Sequence, residues 1–176
     1  GVDALRDEID DLIAQARRTA DPPGPLDVTG VAAERYEFWR ALAADEERSC
    51  RLLLGGVPVD PAEPGAQWHP VTVAVEPEAL AAGLDVLFEN VFAHTERGVA
   101  FQLSVAADPG GGCVIALDDA GTGFDPSMAA AGRSGGGSTG LGLAIVGRLA
   151  RSTGGSMAVE ASPLGGARVV CRLGTG

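Results

Sequence analysis

Hydrophobic residues recur at helical spacing at the start of this chain. In residues 3–18, Leu5, Ile9, Leu12 and Ala16 follow a heptad-like spacing, and charged residues occupy the other faces. The pattern predicts an N-terminal amphipathic helix. Because the pattern covers only two to three heptads, it fits a coiled coil and an ordinary amphipathic helix equally well.

Three more helices are predicted downstream. A proline-rich stretch, 21–26, interrupts the first pattern and indicates a linker. Apolar spacing then predicts a helix over 29–47, with Thr29 as the candidate N-cap, and a second helix from Pro77 to Thr95. The last predicted helix covers 140–152.

Between these helices, short apolar runs bounded by turn residues predict strands. They lie near 51–55, 71–75, 99–106, 113–118, 157–161 and 167–173. Most of these strands follow one another through short turns instead of alternating strictly with helices. The order favours an α+β fold, a two-layer sandwich in which three helices cover one face of a mixed sheet.

Composition narrows the function classes. The chain has 176 residues, 45% of them hydrophobic, and a formal net charge of −11. That charge argues against binding of nucleic acid or of an anionic membrane surface as the main task. All 13 basic residues are arginine, so a P-loop, whose motif requires lysine, is excluded.

Cysteine usage and hydropathy indicate the environment. Cys50, Cys113 and Cys171 are odd in number and widely spaced, with no metal-ligand spacing. We expect buried free thiols in a reducing cytosol. The sequence has no apolar run of membrane-spanning length and no signal peptide. Because it starts abruptly within a helical pattern, we expect a fragment of a longer protein.

The strongest candidate chemistry is a glycine-rich stretch before the last helix. Gly140 and Gly142 lie at the start of that helix, where free backbone N–H groups form a ready phosphate site. Upstream, Asp119-x-Gly121-x-Gly123 follows a predicted strand. Its carboxylate can accept a hydrogen bond from an adenine amino group, and its glycines let backbone approach a flat ring. A tight turn is the alternative.

Two further features accompany these motifs. Asn90 and His94 share one face of the predicted helix 77–95, where they can hold a cation and a phosphate oxygen, or simply form a solvated surface. Arg133 is the one full charge in the loop 126–139, which is either a lid over phosphates or a long loop without a ligand. Asp118 beside Asp119 raises a third alternative, a pair of catalytic or metal-binding carboxylates.

The order of these motifs resembles the ATP-binding domain of sensor histidine kinases, within the group shared with DNA gyrase, heat-shock protein 90 and MutL. The resemblance covers about residues 27–173 and implies the Bergerat-type ATP-binding fold. It implies that Asn90 ligates Mg²⁺, that His94 contacts the nucleotide and that Asp119 recognises adenine. The other residues implied in nucleotide binding are Gly121, Gly123, Arg133, Thr139, Gly140, Leu141 and Gly142.

The sequence departs from the family pattern at several positions. Val86 stands where some members have a second Asn and hydrolysing members have the Glu that activates water. Ala93 replaces a common Lys, and Ala167 replaces a hydroxyl residue of the adenine pocket. A Phe typical of the lid is missing. The resemblance therefore implies kinase-type binding of Mg·ATP and disfavours hydrolysis.

The resemblance also implies an organisation. Residues 1–20 are expected to end the second helix of a dimerisation and phosphotransfer hairpin, 21–26 to be a linker, and 27–176 the ATP-binding domain. The acceptor histidine is expected upstream, a response regulator downstream, and the parent is expected to be a membrane-anchored homodimer with this part in the cytoplasm. We expect this fragment to be monomeric, with no nucleic-acid partner. Two alternatives are a sigma-factor-regulating serine kinase of the same fold and a catalytically weak nucleotide-binding module.

Overall fold

The structure, a computed structural model, describes residues 2–123 and 139–175, apart from the side chains of 17–20, 139 and 140. Over these residues the helices are α1 (Val2–Ala20), α2 (Val28–Asp45), α3 (Pro77–His94) and α4 (Thr139–Ser152). The strands are β1 (Pro25–Asp27), β2 (Cys50–Leu54), β3 (Val57–Val59), β4 (Thr72–Ala74), β5 (Phe101–Ala107), β6 (Cys113–Asp119), β7 (Ser156–Ala161) and β8 (Ala167–Leu173).

Six of these strands form one mixed sheet in the order β3-β2-β5-β6-β8-β7, in which only β2 and β5 run parallel. The helix α2 packs on β2 and β5, α3 on β6, and α4 on β7 and β8. Inward-facing side chains form cross-strand rows such as Leu52, Leu103, Leu117 and Val169, all of them buried. The predicted α+β sandwich, with three helices on one face of a mixed sheet, is confirmed.

The central helix α3 owes its position to its apolar stripe. Leu80, Leu84, Leu87 and Val91 recur every three or four residues and are buried in the core. On its other flank, a Cβ built at Gly83 would lie only 2.6 Å from Leu149 Cδ2 of α4. The glycine therefore lets α3 and α4 approach closely, which brings the start of α4 beside the second half of α3.

The start of α2 differs from the prediction. The N-cap is Asp27, whose carboxylate accepts a hydrogen bond from the Gly30 N–H at 3.2 Å. Thr29, the predicted cap, is buried, and its hydroxyl donates to the same carboxylate. The Asp27 side chain can cap the helix because β1 holds this residue in extended backbone, paired with Thr72 of β4.

Strand β1 begins inside the stretch predicted as a linker. Pro25 and Leu26 pair with Ala74 and Val73 in a small antiparallel sheet. The preceding helix α1 has its apolar side chains on the surface, with exposed fractions of 59% for Leu5 and 47% for Ile9. None of the described helices is long and apolar enough to cross a membrane.

Candidate functional site

Asp119, the last residue of β6, is held by backbone donors on two sides. Its Oδ1 accepts hydrogen bonds from the Gly121 N–H at 2.9 Å and from the Ala167 N–H at 3.2 Å. Its carbonyl oxygen accepts from the Gly166 N–H at 3.1 Å. Within the described residues Oδ2 accepts no hydrogen bond, so one oxygen of a fixed carboxylate is available to a ligand donor.

The close approach of two backbones creates this arrangement. A Cβ built at Gly166 would lie 2.0 Å from Asp119 Oδ1 and 2.6 Å from the Gly121 nitrogen. Only glycine therefore fits where the turn before β8 meets the loop after β6. Further along that loop, Gly123 has a φ of 125°, which residues with a side chain rarely adopt.

Asn90 and His94 lie one turn apart on α3, as predicted, with Asn90 half-buried and His94 exposed at the end of the helix. The loop after Asp119 meets the helix just beyond them. A Cβ built at Gly121 would lie 3.0 Å from Cγ2 of Thr95, the residue that caps α3. The structure thus brings the Asp119 loop to the end of α3 that carries the Asn–His pair.

The start of α4 meets the same helix at the other end of that pair. A Cβ built at Gly142 would lie 3.1 Å from Val86 Cγ1. Val86 and Thr95 are separated by about 14 Å along the helix axis, at 1.5 Å per residue. Asn90 lies between them. The two glycine motifs therefore contact α3 on either side of Asn90 along the helix axis.

The remaining predicted site residues belong to the last helix and the loop before it. Helix α4 begins at Thr139, so Thr139, Gly140 and Leu141 form its first turn, whose N–H groups have no partner within the helix. The Leu141 side chain is 71% exposed. Arg133, the predicted lid cation, lies outside the described residues.

Arg48 is a positioning group that the sequence did not indicate. Its side chain is almost fully buried and forms an ion pair with Glu46. Its guanidinium donates to Thr95 Oγ1 at 2.7 Å, to the Thr95 carbonyl at 3.1 Å and to the Val99 carbonyl at 3.2 Å. It therefore fixes the residue whose methyl group faces Gly121. Thr95 and Val99 lie about fifty residues away from Arg48 in sequence, so no local pattern reveals these contacts.

Asp118 and Asp119 do not form a catalytic pair. Successive strand residues point to opposite faces of a sheet, and Asp118 lies on the face away from the helices, opposite to Leu117. Asp118 is fully buried and takes a bidentate ion pair from Arg168, at 2.7 and 2.9 Å. These hydrogen bonds raise the pKa of the Arg168 guanidinium above its ordinary value. The two-carboxylate alternative is therefore disfavoured.

Other metal or thiol chemistry finds no support in the part of the chain that the structure describes. It contains no group of three His, Cys, Asp or Glu side chains that could hold a metal ion. All three cysteines are free, as predicted, with Cys50 only half-buried. Burial raises the pKa of Cys113 to about 12 and that of Cys171 to about 11. These two thiols stay protonated near neutral pH.

Comparison with known proteins agrees with this geometry. Residues 76–175 match the family described as histidine kinase-, DNA gyrase B-, and HSP90-like ATPase. The sensor-type histidine kinase PrrB of Mycobacterium leprae is 38% identical over 104 residues, which is 53% of this chain and 23% of PrrB. PrrB of Mycobacterium tuberculosis strain H37Rv is 39% identical over 106 residues, with the same shares. The chain thus spans less than a quarter of these relatives.

Solved structures show the same fold. The ATP binding domain of PrrB from Mycobacterium tuberculosis aligns with a TM-score of 0.66 and 26% identity, over 89% of this chain and 99% of that one. The cytoplasmic segment of histidine kinase QseC aligns with a TM-score of 0.65 and 16% identity, over 100% of this chain and 96% of that one. The chain therefore belongs to the histidine kinase-, DNA gyrase B-, and HSP90-like ATPase family.

Proposed function

We propose that this chain is the catalytic ATP-binding part of a sensor histidine kinase, which binds Mg·ATP for transfer of the γ-phosphate to a histidine on another segment. The observation that carries the proposal is that both glycine motifs contact α3, one on each side of Asn90 along the helix axis. The Asp119 loop reaches α3 at Thr95 and the start of α4 reaches it at Val86. A nucleotide can then lie along the helix with its base at Asp119 and its phosphates at α4.

Each end of the site suits one part of the nucleotide. Asp119 Oδ2, which accepts no hydrogen bond from the described residues, can accept one from the adenine amino group, while Gly121 and Ala167 hold Oδ1. The N–H groups of the first turn of α4 are proposed to bind the phosphates, because the helix dipole favours negative charge there. His94 and Arg133 are proposed to contact the nucleotide, as the family resemblance implies.

The donor set fits a magnesium ion that is held mainly by phosphates. The Asn90 amide oxygen is a hard ligand, and no cluster of acidic side chains accompanies it among the described residues. Mg²⁺ accepts such a site, since it keeps several waters and substrate oxygens. When bound, the ion neutralises charge on the phosphates. Asn90 would orient it, so catalysis by this chain consists of positioning and electrostatic stabilisation.

Val86 favours transfer over hydrolysis. Its side chain packs against Gly142 and has no group that could accept a proton from water. Of the two acids on this part of α3, Asp85 accepts hydrogen bonds from Arg35 and Trp39, and Glu89 is exposed. A site without a general base beside the γ-phosphate leaves that phosphate for an acceptor from another segment.

The organisation around this domain is also proposed. The exposed apolar side chains of α1 suit the end of a dimerisation hairpin in a homodimeric, membrane-anchored parent, with this part in the cytoplasm and a response regulator as the later acceptor. Alone, residues 1–176 are expected to be monomeric, because one helix buries too little apolar surface for a stable dimer.

Phosphotransfer in trans tests this function. The chain is mixed with γ-labelled ATP, Mg²⁺ and the phosphoacceptor hairpin of the parent. We expect acid-labile label on the hairpin histidine and none on His69 or His94. The variant Asn90→Ala should lose at least about 10-fold in rate, as for a lost positioning contact, whereas Glu89→Ala, its exposed neighbour, should not. Acid-stable label on a hydroxyl, or ATP binding without transfer, would contradict the proposal.

A further inference from the structure

A cluster of polar and charged side chains lies on the sheet face opposite to the helices, next to the Asp119 site. On this face, away from the helices, Gln102, Asp118, Arg168 and Glu160 lie side by side on neighbouring strands. Asp118, in the middle, is fully buried although none of the described helices packs on this face. A buried carboxylate is costly unless it is paired and hydrogen-bonded. The contacts of Asp118 therefore need an explanation.

Asp118 is satisfied by three donors from one hairpin. Arg168, on β8, gives two parallel hydrogen bonds, and the Ser162 hydroxyl, at the end of β7, donates to Oδ1 at 2.9 Å. Ser162 also organises the turn. Its Oγ accepts from the Leu164 N–H at 3.0 Å, and its N–H donates to the Gly166 carbonyl at 2.8 Å. The carboxylate thus holds both ends of the 162–168 turn.

The same turn supplies the donors that hold Asp119. Gly166 N–H reaches the Asp119 carbonyl, and Ala167 N–H reaches Asp119 Oδ1. Because the two backbones are in contact at Gly166, a shift of the turn would also move the donors that hold the Asp119 carboxylate. Two adjacent residues of β6 therefore bind the same turn from opposite faces of the sheet. Asp118 binds it through the side chains of Ser162 and Arg168, and Asp119 binds it through backbone N–H donors.

We propose that Asp118, Arg168 and Ser162 are positioning residues that set the direction of the Asp119 carboxylate and so determine the preference for an adenine base. The inference rests on the proposed function for the role of Asp119. Its structural part, that the cluster fixes the 162–168 turn, stands on the contacts alone.

Two measurements on Arg168→Gln test it. In the nucleotide-free protein, the Ala167 and Gly121 amides should exchange hydrogen about 10-fold faster, while amides of the β2–β5 pair stay unchanged. The preference for Mg·ATP over Mg·GTP should fall about 5- to 10-fold, as for a loosened hydrogen bond to a charged group. Arg168→Lys, which keeps the charge but not the bidentate geometry, should recover only part of both losses.

Arg172→Gln is the matched control. Arg172 is an arginine of the same strand and face, and its ion pair with Asp108 at 3.1 Å is exposed. The control should leave both readouts unchanged. The double variant Asp118→Asn with Arg168→Gln avoids an uncompensated buried charge if the single variant folds poorly, and it should show the same loss of base preference.

Three outcomes separate the claims. Unchanged Ala167 exchange in Arg168→Gln, or an equal loss of affinity for both nucleotides, would overturn the positioning role. Faster exchange at those amides with a weakened base preference would support it. If the wild-type protein does not prefer ATP over GTP, the proposed role of Asp119 fails, and amide exchange alone then decides whether the cluster fixes the turn.

Discussion

The two ends of the candidate site are built differently. At the end proposed to bind the base, Asp119 is fixed by backbone donors of its own loop and of the β7–β8 turn. The buried Asp118 carboxylate fixes that turn. At the phosphate end, Asn90 is half-buried on a helix face, and the contact with α4 is a van der Waals approach of Gly142 to Val86. In the function proposed above, base recognition is thus preorganised, whereas phosphate binding depends on the ion and oxygens that the ligand brings.

The largest expected effect breaks the base end. Gly166→Ala places a Cβ against Asp119 Oδ1 and the Gly121 nitrogen, and neither backbone can move without loss of the site. We expect ATP affinity to fall about 100-fold, since hydrogen bonds to a charged acceptor are worth about 1.5–3 kcal/mol. Thermal unfolding should show a loss of about 1–3 kcal/mol in the free energy of unfolding, because the added methyl group overpacks this contact.

Gly110→Ala is the control for this variant. Gly110 lies in the exposed turn before β6, where a Cβ would meet nothing closer than 3.8 Å. Titration calorimetry and thermal unfolding should show little change. Equal ATP affinity in Gly166→Ala and Gly110→Ala would show that the base end is not preorganised.

A smaller effect is expected when only the charge at the base end changes. Asp119→Asn keeps an oxygen for Gly121 and Ala167 but turns an NH₂ group toward the ligand. We expect about 30-fold weaker ATP binding from loss of a hydrogen bond to a charged group. GTP binding should become tighter, because its 6-oxo group can accept a hydrogen bond from the new NH₂ group, which the carboxylate could not donate. Competition with a fluorescent nucleotide measures the affinities for ATP and GTP, with Asp108→Asn as the control variant. An equal loss of affinity for both nucleotides would contradict base recognition by Asp119.

The smallest effect is expected at the phosphate end. Gly142→Ala puts a Cβ 3.1 Å from Val86 Cγ1, a side chain that can shift by a few tenths of an ångström. We expect about 3-fold weaker ATP binding, consistent with mild overpacking. The double variant Gly142→Ala with Val86→Ala should restore the affinity, because it removes the opposing methyl group. Failure of that rescue would mean that Gly142 is needed for its backbone and not for space.

The parts of the fold that the sequence predicted are those with local patterns. The core stripe of α3 follows from apolar spacing alone, and the Asn–His face follows from the same helix geometry. Short elements escaped this reasoning. The three-residue strands β1 and β3 carry no periodicity, and they exist because partner strands satisfy their backbone groups.

Long-range contacts account for the other differences. Leu42 of α2 is apolar and is nevertheless 40% exposed, since Tyr36, Trp39 and Ala43 are the residues of this helix segment that face the core. Thr95, which Arg48 fixes, and Arg168, which pairs with Asp118, lie about fifty residues away from these partners along the chain. Spacing cannot show such pairs, so the groups that support the site came only from the structure.

Binding of Mg·ATP and Mg·GTP to the wild-type protein, compared by titration calorimetry, tests the central claim most directly. A preorganised Asp119 with one available carboxylate oxygen predicts saturable ATP binding at one site and at least about 10-fold weaker GTP binding, since an acceptor held in a fixed direction discriminates against a base that lacks the matching donor. Equal affinities for the two nucleotides, or no binding of ATP, would contradict the account.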